Sequence, residues 1–373
     1  MKIIYKLLFL FLLTIGYSSC DFLDIVPDEI TTEADAFKDR NAAKNFVYSC
    51  YGYLPQSNVA SGSLDLLTGD EVITAFEHET FASFPKGNYT ASSPVISYWN
   101  TFFQGLRQCY IFLENVDKVP DLTESVKTDY IAQVKFLIAY YHYQLARCYG
   151  PIILIKELPD VNASQAEYLP RTSYDECVDW ICNLLDEAAS SLPAIRTNKE
   201  DYGLATSVGA KAVKAKMLLY AASPLFNGNS SFYSNFTDKS GSQLMPLTYD
   251  PNKWVKAKTA IKEAIDLAEQ NGHALYVKQD YKIGNEDANP YPAAGPVRCL
   301  RTSLVDWDSR NPEVLLAETR SEGSYGIQNK SLPFVTDGWA WNGVGPTWTM
   351  LNRFYTKNGL PWDEDPEYKD KDK

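Results

Sequence analysis

The sequence predicts a mainly α-helical protein with few short strands, and two observations lead to this prediction. First, several long segments place apolar residues at the three- and four-residue steps of an α-helix. Second, the amino-acid composition changes after residue 276, where Gly, Pro, Asn and Trp become frequent. The chain has 373 residues, 45% of them hydrophobic, which is enough for a sizeable core. We therefore expect a helical scaffold over residues 31–275, interrupted by a loop insertion at 56–95, and a loop-rich portion over 276–373.

The clearest predicted helix begins near Asp129. Its apolar stripe consists of Tyr130, Val134, Leu137, Tyr141, Leu145 and Cys148. The opposite side carries Gln133, Tyr140, Gln144 and Arg147. Because both flanks are also apolar, only a narrow strip of this helix is expected to face water. Gly150 and Pro151 end it, since glycine accepts a left-handed conformation and proline lacks the N–H that would continue the hydrogen bonds. An extended apolar segment, 152–155, follows.

Further helices are predicted on both sides of this one. They are a helix from Thr32, with Thr31 or Thr32 as N-cap, and helices at 99–116, 174–192, 205–222 and 251–271. Helical pairs with Trp or Tyr early and Ala later resemble degenerate tetratricopeptide repeats. In the loop-rich portion we expect one strand, at 314–319.

The N-terminus predicts export. Lys2 and Lys6 precede an apolar run at 7–13 that is too short to span a bilayer, so residues 1–19 are interpreted as a signal peptide. The signal ends at Cys20, which indicates a bacterial lipoprotein in which Cys20 is lipidated. An ordinary export signal with an incidental cysteine is the alternative. Residues 20–30 are acidic and are interpreted as a tether.

Composition and motifs narrow the function classes. The formal net charge of −12 repels a phosphate backbone, so nucleic acid is not an expected partner. Seven cysteines without a CxxC pair and three scattered histidines predict neither a metal site nor a cofactor. The sequence contains none of the common hydrolase, phosphate-binding or dinucleotide motifs, so we expect no enzyme. A glycosidase pair could be chosen from four carboxylates: Asp306, Asp308, Glu313 and Glu318. Alternation on a strand and a turn explains their spacing better.

Aromatic residues among glycines mark the most plausible binding region, residues 323–350. Tyr325, Trp339 and Trp341 offer flat rings for the apolar face of a sugar, and Asn342 offers a hydrogen-bonding edge. Phe84 and Tyr89, in the loop insertion, are further candidates. The alternative is that these rings fill gaps beneath long loops.

Three stretches carry a family resemblance. They are the helix that ends in Tyr-Gly-Pro at 149–151, the run AKAVKAKMLLYAASPLFNG at 210–228, and the motif RFYTKNGLP at 353–361 with DEDP at 363–366. Together they resemble the SusD/RagB family of nutrient-binding outer-membrane lipoproteins. This resemblance implies a SusD-like fold built from tetratricopeptide-like helical pairs plus an irregular loop-rich portion.

The same resemblance implies a function. It implies a protein anchored by lipid to the outer membrane and exposed on the cell surface, which captures oligosaccharides or peptides for a SusC-like TonB-dependent transporter. It also matches Tyr325 and Trp339 to an aromatic arc that holds glycan. Family members continue beyond the late motif, so the chain is expected to be incomplete at its C-terminus. Two other classes stay open: a helical-repeat scaffold for protein interactions, and a helical glycoside hydrolase.

Overall fold

The computed structural model describes residues 33–55, 68–160, 162–164, 169–277, 296, 299–300, 303, 311–319, 326–333 and 340–369. The helices are α1 Glu33–Ala36, α2 Arg40–Tyr51, α3 Trp99–Asn115, α4 Glu124–Tyr149, α5 Tyr174–Ser191, α6 Ser207–Ala222, α7 Ser230–Tyr233, α8 Asn252–Gln270, α9 Gly326–Ser331 and α10 Trp348–Leu351. Two short strands, β1 Val72–Thr74 and β2 Val344–Pro346, form an antiparallel pair. The predicted mainly α-helical fold is confirmed.

The long helices pack in the order of the sequence. α3 packs on α4, α4 on α5, α5 on α6, and α6 on α8, while α2 contacts both α3 and α4. Each long helix thus covers the apolar face of its neighbour along the chain, as the helices of a repeat array do. None of the helices among the described residues is both long and apolar enough to cross a bilayer.

Helix α4 is enclosed on almost every side between Ala132 and Ala146. Val134, Leu137, Tyr141 and Leu145 of the predicted stripe are buried. The expected water-facing strip is wrong in part, because Gln133 and Gln144 are buried as well. The reason is that neighbouring segments cover this side too. Tyr51 of α2 supplies a partner for Gln133, and Gln144 Nε2 donates to Tyr140 Oη within α4.

Gln133 belongs to a closed ring of hydrogen bonds. Tyr51 Oη donates to Gln133 Oε1 at 3.0 Å, and Gln133 Nε2 donates to Asp129 Oδ2 at 2.8 Å. Arg196 forms a bidentate pair with Asp129 at 2.8 and 3.0 Å and also donates to the Ala205 carbonyl. The Ala205 N–H closes the ring by donating to Tyr51 Oη at 2.9 Å. Burial raises the pKa of Tyr51, so its phenol keeps the proton that it donates. The ring ties α2, α4 and the chain before α6 together.

The chain reversal after α4 follows the predicted pattern. Gly150 has φ of 70°, and its N–H still bonds to the Ala146 carbonyl. The Arg171 guanidinium donates to the carbonyls of Tyr149 and Pro151 at 3.3 and 2.7 Å and lies 5.2 Å from the Trp99 ring centroid. Arg171 therefore satisfies carbonyls that the helix end leaves without intrahelical donors.

His142 fixes the extended segment that follows. The Ile155 N–H donates to His142 Nε2 at 3.1 Å, so Nε2 carries no proton, and Nδ1 donates to the Ile138 carbonyl at 2.8 Å. The imidazole is buried against Trp180. Burial lowers its pKa to about 4, because a charged ring would be taken out of water and would lose the bond from Ile155.

Three expectations need correction. The first helix is not continuous, since the chain turns at 37–39 and Asp39 caps α2 by accepting the N–H groups of Asn41 and Ala42. The predicted strand at 314–319 is absent. A strand instead occurs at 72–74, inside the insertion expected to be irregular. Thr31, Thr32, the predicted signal peptide, the tether and Cys20 lie outside the described residues.

Four cysteines are buried free thiols, as expected for small apolar side chains: Cys50, Cys109, Cys177 and Cys182. Cys177 and Cys182 of α5 do not bridge each other. Burial raises the pKa of Cys177 to about 11 and holds this side chain as a thiol.

His142 predicts a pH-dependent stability. Between its folded-state pKa of about 4 and the ordinary value of 6.5 the unfolded chain binds a proton that the folded chain does not. The free energy of unfolding should therefore fall as the pH drops from 6.5 to 4, with this residue contributing at most about 3 kcal/mol. Urea unfolding at several pH values, compared between the parent and His142→Gln, measures this contribution.

In that comparison the parent should lose more stability on acidification than His142→Gln does. Equal slopes for the parent and His142→Gln would contradict the assignment.

Candidate ligand-binding site

Two stretches far apart in sequence meet at the β1–β2 pair. Ile73 lies opposite Gly345, and the ladder extends through the bond from the Ala75 N–H to the Gly343 carbonyl. The Thr347 N–H donates to the Glu71 carbonyl at the other end. This pairing brings the loop insertion, which carries Phe84 and Tyr89, to the segment that carries Trp341 and Asn342.

A small apolar cluster lies beneath the pair. Phe81 is buried in a short 3₁₀ turn, Thr80–Ser83, and packs against Val72, Phe84 and Val344. Phe84 is half-buried, and its ring centroid lies 5.4 Å from that of Tyr89. Tyr89 is exposed. Phe84 therefore supports the cluster, whereas Tyr89 presents a ring to solvent.

The Trp341 loop is tied to the end of α9 by three successive N–H groups. Trp341, Asn342 and Gly343 donate to the carbonyls of Asn329, Leu332 and Lys330 at 3.0, 2.9 and 2.6 Å. These bonds satisfy carbonyls at the C-terminal end of α9. Asn342 has φ of 49°, a left-handed conformation that asparagine tolerates better than most residues. The main chain that carries the exposed Trp341 ring is thus fixed.

The strand pair, the 3₁₀ turn at 80–83 and the Trp341 loop are called the β1–β2 unit below. Ion pairs border this unit. Lys330 Nζ pairs with Glu79 Oε1, and both side chains are largely buried. His78 Nε2 lies 3.5 Å from the same carboxylate oxygen. Arg353 pairs with Asp70 at 3.2 Å. Charged side chains therefore lie near both ends of the strand pair, and a sugar's hydroxyl rim requires polar groups beside the stacking face.

Further exposed rings were not selected as site residues. They are Trp348, at the end of the predicted binding region, and Phe354 and Tyr355 of the late motif. The turn after Tyr355 closes on buried Asp365, which accepts hydrogen bonds from the Thr356 hydroxyl and the Asn358 amide. The bond from Thr356 lowers the pKa of Asp365, so the carboxylate stays ionised and holds the turn. The recognisable motif at 353–361 was the available signal for this surface.

Of the predicted site residues, the structure brings Phe84, Tyr89, Trp341 and Asn342 into one unit. Tyr325 and Trp339 lie outside the described residues. Among the described residues, no group of three or more His, Cys, Asp or Glu side chains is arranged to hold a metal ion.

A sizeable apolar groove lies elsewhere, between α6 and α8. It has a volume of about 570 Å³, and Ala215, Leu219, Ala264, Ile265 and Leu275 are among its lining residues. Its lining among the described residues includes no Phe, Tyr or Trp. This groove therefore lacks the flat rings on which a sugar stacks.

Comparison with known sequences identifies the family to which this fold belongs. Residues 21–219 match the sequence profile of a SusD-like family described as starch-binding and associating with the outer membrane. The chain belongs to the SusD-like family. The family resemblance predicted from the helix ending in Tyr-Gly-Pro and the two later motifs is confirmed.

Individual relatives agree with this membership. The SusD-like chain is 23% identical over 230 residues to SusD-like protein P25 of Formosa agariphila, a match that covers 58% of this chain and 43% of that protein. Among solved structures it is similar to BT4246, with 30% identity, a TM-score of 0.75 and coverage of 89% of this chain and 59% of the other. A SusD-like protein of Bacteroides fragilis shares the fold, with 20% identity, a TM-score of 0.65 and coverage of 90% and 56%. The chain thus spans less than two thirds of these relatives' length.

Gly343 should be sensitive to a single methyl group. A Cβ added there would lie 1.9 Å from Cε2 of the Phe76 ring, which stacks on His78. We expect Gly343→Ala to displace Phe76 and weaken the β1–β2 unit by about 1–2 kcal/mol, as overpacking does. Hydrogen exchange of the β1 and β2 amides measures this local opening.

Gly345→Ala is the matched control on the same strand, because a Cβ at Gly345 meets nothing within 4 Å. Its exchange should equal that of the parent or be slower. Unchanged exchange in Gly343→Ala would show that the close approach of Phe76 is not a constraint.

Proposed function

We propose that this SusD-like chain is a lipid-anchored, cell-surface protein that captures oligosaccharides and passes them, uncleaved, to a SusC-like TonB-dependent transporter of the outer membrane. The observation that carries the proposal is the meeting of two ring-bearing segments at the β1–β2 pair. Family membership supports a carbohydrate ligand and an association with the outer membrane. Peptide is the alternative cargo.

The proposed platform consists of Tyr325, Trp339 and Trp341, with Asn342 at its edge and Tyr89 and Phe84 on the facing insertion. A sugar ring presents C–H groups on its faces and hydroxyls around its rim, so it needs aromatic faces beside polar side chains. Trp341 offers such a face on a main chain held by hydrogen bonds, so little conformational entropy is lost when a ligand binds.

Capture without cleavage is proposed because the matched family is described as starch-binding, and because Asp70 and Glu71 at one end of the strand pair are both engaged by Arg353. A glycosidase needs two carboxyl groups about 5–9.5 Å apart across the scissile bond. Of the four sequence candidates, Asp306 and Asp308 lie outside the described residues. Glu313 is engaged elsewhere, since its Oε1 accepts the Tyr276 N–H at 2.8 Å.

A second candidate function is supported by the groove between α6 and α8. Its small and aliphatic side chains suit the apolar face of a helix from another protein, which is the mode of a helical-repeat interaction scaffold. Screening the purified protein against polysaccharides and against peptides distinguishes the two functions.

Replacing Trp341 with Ala should weaken retention on an oligosaccharide column about tenfold, because one stacking face is lost. Trp339→Ala should have a comparable effect. The matched control is Trp254→Ala, since Trp254 is 41% exposed on α8 whereas Trp341 is 42% exposed at the proposed platform. Retention that drops equally in Trp254→Ala, or persists in both platform variants, would refute the platform.

Lipid attachment has its own test. Cells fed labelled palmitate should incorporate label into the parent and not into Cys20→Ala, which should be released from the membrane fraction. Cys148→Ala is the control and should remain labelled. Label retained by Cys20→Ala would contradict anchoring at residue 20.

A further inference from the structure

The binding unit depends on few long-range contacts. A two-stranded pair of three residues each is marginal by itself, and in the part of the chain that the structure describes its apolar cluster has one fully buried ring, Phe81. A further connection between the insertion and the Trp341 loop would help to keep their separation fixed.

The ion pair between Glu79 and Lys330 provides such a connection. The two residues are 251 positions apart, and their side chains are 10% and 20% exposed. A pair that is shielded from water interacts more strongly than an exposed one. The Lys86–Glu77 pair of the same insertion is the contrast, since its side chains are 57% and 90% exposed and its atoms lie 3.4 Å apart.

Lys330 acts at two points. Its ammonium group reaches the insertion through Glu79, and its carbonyl accepts the Gly343 N–H at 2.6 Å. It lies in the last turn of α9, where neighbouring carbonyls accept the N–H groups of Trp341 and Asn342. One residue thus links the Trp341 loop to the insertion.

Glu79 is equally well placed on its side. Its N–H donates to the Phe76 carbonyl, and its own carbonyl accepts the Ala82 N–H at the start of the 3₁₀ turn. That turn carries Phe81 into the cluster and ends next to Phe84. Movement of the Glu79 carboxylate would therefore move the part of the insertion that leads to Tyr89.

We propose that Glu79 and Lys330 are a positioning pair, which sets the Trp341–Asn342 loop against the insertion and thereby determines affinity for a saccharide. The proposal rests on the proposed function of the platform. Neither residue needs to contact the ligand, because both act through the main chain that carries the rings.

Three variants test the pair: Glu79→Gln, Lys330→Met, and the double exchange Glu79→Lys with Lys330→Glu. Each single substitution leaves one charge buried without its partner, and this should raise hydrogen exchange at residues 341–343 about tenfold and weaken saccharide binding by a similar factor. The double exchange restores opposite charges and should recover most of both losses.

Glu77→Gln is the matched control, since it removes a neighbouring carboxylate from an exposed pair and should change neither measurement. Exchange within α4 should be the same in every variant, which shows that the helical scaffold is intact. Unchanged exchange at 341–343 in both single variants, or a double exchange that recovers nothing, would overturn the proposal.

The two measurements distinguish this proposal from the function on which it rests. If the parent protein bound no saccharide, the proposed function would fail, whereas the exchange data would still decide whether the pair holds the loop. Faster exchange in the single variants without any change in saccharide affinity would reduce the pair to a structural role and refute its influence on binding.

Discussion

Enclosure of α4 is the constraint on which the rest of the structure depends. A helix covered on almost every side leaves few of its polar groups to water, so its buried donors and acceptors need partners within the protein. Gln133 and His142 obtain theirs from Tyr51 and Ile155. Through Asp129 the same requirement extends to Arg196 and the chain before α6. The polar interior of the helix therefore specifies which segments surround it, while the apolar contacts supply most of the stabilisation.

The β1–β2 unit depends less on buried apolar contacts than the helical array does. It has little buried apolar area, two short strands and an ion pair between distant residues. Such regions open at lower cost than a large core, and binding segments are drawn from them. The helical array provides a rigid support, and the unit attached to it presents Trp341 and Tyr89 to solvent.

Sequence reasoning recovered the long helices because helical spacing is a local signal that each packed face enforces. It did not recover β1 and β2, since three-residue strands separated by about 270 positions leave no local pattern. The predicted strand at 314–319 failed for a related reason. Alternation there resembles a strand, but its first residue, Val314, donates its N–H to the Asn311 carbonyl in a turn, and the preceding Pro312 carbonyl accepts the Ala274 N–H beyond α8. Without a partner strand, alternation alone does not make a ladder.

For the site, composition identified the ring-bearing stretches but not the exposure of each ring. Phe84 and Tyr89 look equivalent in sequence, yet one packs on Phe81 and the other faces solvent, a difference set by the fold of the insertion. The groove between α6 and α8 is the converse case: it is large and apolar, and its described lining includes no Phe, Tyr or Trp. Cavity size therefore points to one surface and sugar chemistry to another. Because a saccharide needs both a stacking face and a polar rim, chemistry is the better guide, and it favours the β1–β2 unit for the proposed capture.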